Sequence, residues 1–127
     1  LEFETPGELR RVIQKCVEEL NPSLVISFYP GYAVHPDHDA TGEAVAEALA
    51  TIPENKRPTF YAVAFANNHE AEIGPPHVKN EVKEYVQKKL QALQAYASQF
   101  ATKVTDLKRE YEDGVTGTVE WLEREPF

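Results

Sequence analysis

Two short apolar and β-branched runs, Ser23-Leu-Val-Ile-Ser-Phe-Tyr29 and Thr59-Phe-Tyr-Ala-Val-Ala-Phe65, flank the alanine-rich stretch Ala40-Thr-Gly-Glu-Ala-Val-Ala-Glu-Ala-Leu-Ala50. No other pattern constrains the fold as much. A nearly unbroken apolar run reads as a strand covered on both faces of a parallel sheet. Alanine favours helix, and Pro53 supplies a stop. Strand, helix and strand joined by a crossover of this length form a βαβ unit, right-handed and parallel. The expected class is α/β, a parallel sheet with flanking helices.

The remaining segments fit around this unit. Thr5-Pro6-Gly7-Glu8 has the form of a capping box with proline at the first helical position. Leu9, Val12, Ile13, Cys16, Val17 and Leu20 then recur at spacings of three and four, a stripe expected to lie on the sheet until Asn21-Pro22 ends the helix. A loop from Ala66 to Pro76 holds Asn67, Asn68, His69 and Glu70 and should also reach the carboxyl edge of the sheet. A long helix is expected over Lys83 to Phe100, burying Val86, Leu90, Leu93, Ala97 and Phe100 and leaving Lys88 and Lys89 solvated. Lys103 to Glu112 reads as a further helical stretch, and the residues from there through Trp121 to Phe127 give no firm signal.

Chemistry concentrates where the first strand meets the helix, in Tyr29-Pro-Gly-Tyr-Ala-Val-His35-Pro36-Asp37-His38-Asp39-Ala40-Thr41-Gly42. In open α/β sheets ligands sit at the carboxyl ends of strands. Two imidazoles and two carboxylates within five residues can bind a divalent metal, hold water and carry protons. The plainer alternative is that Asp37 or Asp39 caps the helix and the histidines are merely exposed. A metal site needs three or more protein ligands, and this cluster offers one or two. His69 could complete such a site only from a polar loop, and His77, after Pro75-Pro76, reads as a surface residue. Tyr29 and Tyr32 either pack the strand end or, for Tyr32, touch a substrate.

Composition narrows the function classes. At 127 residues the chain is one domain at most, and its net charge of −8 lacks any basic cluster. Nucleic acid and anionic membranes are therefore not expected partners. No apolar stretch approaches the roughly 20 residues that span a bilayer. A single cysteine, Cys16, excludes an internal disulfide, is consistent with a cytoplasmic location and is expected in the core. The sequence contains no methionine and opens on Leu1-Glu-Phe-Glu, as expected of a fragment or processed form of something longer.

The run from Tyr29 to Gly42 resembles the second motif of the LmbE/PIG-L-like metal-dependent de-N-acetylases, and its Tyr-Pro-Gly-Tyr-Ala-Val lead-in is most similar to the bacillithiol-biosynthesis branch. Gly74-Pro75-Pro76, Lys88-Lys89-Leu90 and Ser98-Gln99 resemble the same branch. The likeness runs from about Leu1 to Gln99 and fades beyond it.

The resemblance implies a Rossmann-like parallel sheet lacking its N-terminal strands, with residues 1–127 forming the C-terminal part of one de-N-acetylase domain. It implies zinc, or another divalent metal such as Fe2+, and hydrolysis of the acetamide of an N-acetylglucosamine conjugate. By the same resemblance His38 binds the metal, His35 stabilises the oxyanion or protonates the leaving amine, and Asp37 orients or tunes His35. Asp39 is then a helix cap or a support for the ligands. The family's first motif, a His-Pro-Asp-Asp run carrying the other two ligands and the base, does not occur in this sequence, so the chain is expected to hold half an active site and to be inactive alone. In the complete enzyme the metal would bring the pKa of its water to about 7, and each oxyanion donor would contribute roughly 3 kcal/mol. The implied partners are a small glycoconjugate and the missing N-terminal segment, with a homo-oligomer left open. Two rivals stand beside this reading, a metal-dependent phosphohydrolase and a non-enzymatic interaction module.

Overall fold

The computed structural model describes residues 7–96 and 103–127, which gather into two compact units. The first runs to Pro75 and includes Phe127; the second is Pro76–Pro126.

In the first unit, helix α1 (Glu8–Leu20) leads to strand β1 (Leu24–Phe28), helix α2 (Pro36–Ala50), a 3-10 turn (Glu54–Lys56), strand β2 (Thr59–Val63) and the short helix α3 (His69–Ile73). The strands pair in parallel, Leu24 beside Thr59 through Phe28 beside Val63, so the expected parallel pairing of strands on either side of a helix is present, in a two-stranded sheet. Small residues let α2 approach closely. Gly42, Ala44, Val45, Ala48 and Leu49 are buried, and a Cβ on Gly42 would stand 2.4 Å from the carbonyl oxygen of Phe28.

Several expectations change here. The β1 strand is not covered on both sides, because Leu24 and Ile26, two residues apart and so on one face, are 41% and 57% exposed. Helix α1 packs on α2, not on the sheet. Its facing side carries the Arg10–Glu47 ion pair (3.8 Å) and the bond from Gln14 Nε2 to Thr51 Oγ1 (3.1 Å), beside half-buried Leu9, Ile13 and Val17. Val12, Cys16 and Leu20 fall off that arc, so Cys16 is exposed and not in the core. The helix begins after Gly7, whose φ of +86° suits glycine, and ends on left-handed Asn21 bonded to Val17 O. Thr5 and Pro6 of the expected capping box lie outside the described residues.

In the second unit, strand β3 (Lys79–Glu81), a 3-10 turn (Lys83–Tyr85), helices α4 (Val86–Ala95), α5 (Val104–Glu112) and α6 (Thr116–Glu123) and strand β4 (Arg124–Pro126) follow. Val86, Leu90 and Leu122 form its core with Leu107 and Tyr111 against them. Strands β3 and β4 pair antiparallel, tied by Arg124 Nε to Glu81 Oε1 at 2.7 Å. Lys88 is exposed as expected, but Lys89 is only partly so: its Nζ pairs with Glu125 and donates to Trp121 O at 3.4 Å. Leu93 is half-buried, whereas Ala97, Ser98, Gln99 and Phe100 lie outside the described residues.

Candidate active site

The two strands end together, and the loops that follow are laced to each other. Tyr29 N–H donates to Val63 O at 2.8 Å, and Tyr32 O accepts from Phe65 N–H (2.7 Å) and Ala66 N–H (2.9 Å). The loop after β2 thus reaches the carboxyl edge of the sheet beside the first. Pro30 and Gly31 occupy the middle of a turn closed by Tyr32 N–H to Tyr29 O, with Gly31 at φ +83° as a type II turn requires.

Helix α2 starts inside the motif. Pro36 takes the first helical position, where its missing N–H costs nothing, and His35 is the N-cap residue in extended conformation. The capping acceptor is His35 Nδ1, which receives Asp37 N–H at 3.1 Å. The Asp39 carboxylate is turned back to Gly31 and Ala33 N–H instead. An accepting Nδ1 carries no proton, so in neutral His35 the proton is on Nε2. The Asp37 carboxylate stands 3.8 Å from that Nδ1, and Asp37 O accepts from Thr41 Oγ1 at 2.7 Å.

His38 is held in the opposite sense. Its Nδ1 lies 3.2 Å from Ala33 O, and because a carbonyl only accepts, Nδ1 is the donor and Nε2 keeps its lone pair. The ring stacks on Phe28 with centroids 4.3 Å apart and 7° between planes. A histidine whose second nitrogen donates to a backbone carbonyl is oriented as metal-ligating histidines are. His38 therefore fits one place in a ligand set for a borderline cation such as zinc. Among the described residues no group of three or more His, Cys, Asp and Glu side chains could hold a metal. His69 is accordingly not drawn into a triad with His35 and His38; its Nδ1 bonds Ala66 O. His77 is exposed, as expected.

Tyr32 packs edge-on against Tyr29, centroids 5.5 Å apart. Its phenol pKa is raised above 10, chiefly by a hydrogen bond to the Glu72 carboxylate and further by burial and by the charge of Glu72. Glu72 also receives Asn68 Nδ2. Sequence reasoning missed Glu72, since nothing local marks a pairing forty residues away. It also missed Val34, a β-branched residue at φ +71° directly before His35.

Residues 1–49 match the family described as PIG-L: GlcNAc-PI de-N-acetylase. Over all 127 residues the chain is 96% identical to a Bacillus anthracis protein named probable N-acetyl-alpha-D-glucosaminyl L-malate deacetylase 2, of which it covers 56%. Proteins of the same name from Bacillus cereus and Bacillus subtilis are 39% and 34% identical over the full chain, which covers 58% of each. The chain thus spans little more than half the length of these relatives. No helix among the described residues is long and apolar enough to cross a membrane.

Proposed function

We propose that this chain, whose residues 1–49 match the PIG-L family, supplies the His-Pro-Asp-His half of the active site of a zinc-dependent N-deacetylase. The substrate in this reading is an N-acetylglucosamine conjugate of the kind named for the relatives, N-acetyl-alpha-D-glucosaminyl L-malate, in a bacillithiol-type pathway of the cytoplasm. Residues 1–127 would be the C-terminal part of one Rossmann-like de-N-acetylase domain. The remaining ligands and the general base would come from sequence outside this chain, which alone would be inactive.

The observation that carries the reading is the pair of neighbouring imidazoles fixed in opposite tautomers. Nε2 of His38 offers a lone pair, the requirement for a metal ligand. Nε2–H of His35 offers a proton, the requirement for a donor to a developing oxyanion or a departing amine. A divalent metal held in part by His38 would supply Lewis acidity to the acetyl carbonyl and to water. His35 would hold its proton toward the amide, with Asp37 steadying the ring through its backbone N–H and, once the ring is protonated, through its carboxylate. Tyr32, beside the Glu72 carboxylate, would form a wall for the sugar.

The test is acetate release from N-acetylglucosaminyl malate by a full-length protein containing this sequence, before and after chelation and zinc readdition. Chelator-sensitive, zinc-restored release is the expected result. Hydrolysis of phosphate esters without amide hydrolysis would instead favour the phosphohydrolase.

A further inference from the structure

We propose that Asp39 is a positioning residue for His38, acting through the peptide of Ala33. This rests on the reading of His38 as a metal ligand, which it deepens. Asp39 stands in the first turn of α2, yet its carboxylate turns back over the preceding loop. There Oδ1 accepts two backbone donors, Gly31 N–H at 2.9 Å and Ala33 N–H at 3.1 Å. Ala33 is 1% exposed, and its carbonyl is the acceptor for His38 Nδ1–H. One carboxylate oxygen thus holds the N–H side of the residue whose C=O sets the imidazole tautomer.

The backbone supplies an independent reason why such a hold is needed. Val34, which follows Ala33, sits at φ +71°, a conformation that β-branched residues avoid. The residue is 72% exposed, so packing does not force it there. Strained conformations persist only where surrounding bonds over-determine them. The two bonds to Asp39 and the bonds of Phe65 and Ala66 N–H to Tyr32 O hold the chain on one side of Val34, and the His35 cap holds it on the other. Asp39 is the side chain that holds Ala33 N–H; without it Ala33 loses that restraint, the strained Val34 can relax, and the Ala33 carbonyl leaves Nδ1 of His38.

The test reads the ring nitrogens of the 15N-labelled chain at an alkaline pH where their own 15N shifts show both imidazoles neutral. In the unaltered chain His38 is expected in the Nδ1–H form and His35 in the Nε2–H form. In Asp39→Ala, with its circular dichroism unchanged, His38 should lose the Nδ1–H signature while His35 keeps its own. Asp39→Asn, which retains an oxygen acceptor, should restore the unaltered pattern. If Asp39→Ala keeps the His38 tautomer, or shifts both rings alike, the proposal is overturned. If the alanine variant does not fold, the decision passes to two other readings. Gly31 and Ala33 amides must be slow to exchange in the unaltered chain, and Asp39→Asn must keep the His38 tautomer; failure of either overturns the proposal. No metal, substrate or turnover enters these measurements, so a failed deacetylase assay would leave the result standing.

Discussion

His35 and His38 face one another with ring centroids 5.2 Å apart, and their hydrogen bonds leave Nε2 protonated on the first and bare on the second. Three positions of helical sequence separate two imidazoles with complementary chemistry.

In the full-length protein the two alanine variants are therefore expected to fail differently. His38→Ala should lose bound metal and activity together. His35→Ala should retain metal while the rate falls by about 10² or more, the scale of a lost acid or oxyanion donor. Metal content measured beside turnover separates them, and the reverse pattern would exchange the two roles.

For the 127-residue chain by itself, zinc binding is expected to be weak. A structural zinc site with a full ligand set binds with roughly 10–16 kcal/mol, and the described residues bring together no such set. Calorimetry on chelator-treated protein is the check. Tight one-to-one binding would require ligands that the described residues do not bring together.

The bond between Tyr32 and Glu72 should appear in alkaline titration. The phenol pKa is raised in the folded chain, so the contribution of this bond is fully present below the unfolded tyrosine value of about 10 and is lost as pH rises through the higher folded value. Glu72→Gln should bring Tyr32 back toward about 10, seen as earlier phenolate absorbance. Tyr111, raised in the same direction by Glu123, should be unaffected and serves as the internal control.

Two glycines in helices should respond oppositely to alanine. At Gly42 the new Cβ would meet the Phe28 carbonyl oxygen at 2.4 Å, so Gly42→Ala should destabilise by about 1–3 kcal/mol. Gly117 in α6 has open space around it, and Gly117→Ala should stabilise by about 1 kcal/mol through helix propensity. Urea unfolding midpoints of the two variants give the comparison.

What the residues made legible was mostly local. Apolar runs and an alanine-rich crossover were enough for the parallel pair β1–β2, and Pro36 marks the helix start because its preference is steric. The choice of a packing partner was not legible. A stripe from Leu9 to Leu20 says that a helix has an apolar side, but whether it meets a sheet or another helix depends on tertiary geometry, and α1 turned its Arg10–Gln14 side to α2 instead. Lys89 shows the same limit, since its partner Glu125 lies 36 residues ahead. Helix α6 was missed because Thr116-Gly-Thr-Val opens it with weak helix formers, while the burial of Leu122 in the second unit holds it in place. At the site, residue types were readable from the motif. Their tautomers were not, for these depend on a carbonyl and an amide that only the folded loop presents.

The exposed side of β1 bears on how the protein behaves at the bench. Leu24-Val-Ile-Ser-Phe28 carries no charge and no proline, has only β2 beside it among the described strands, and shows more than half of Ile26 to water. Segments of this composition template intermolecular strand addition. Solubility of the isolated chain should therefore fall steeply with concentration despite its net charge of −8, and a single lysine in place of Ile26 should raise the concentration at which light scattering sets in.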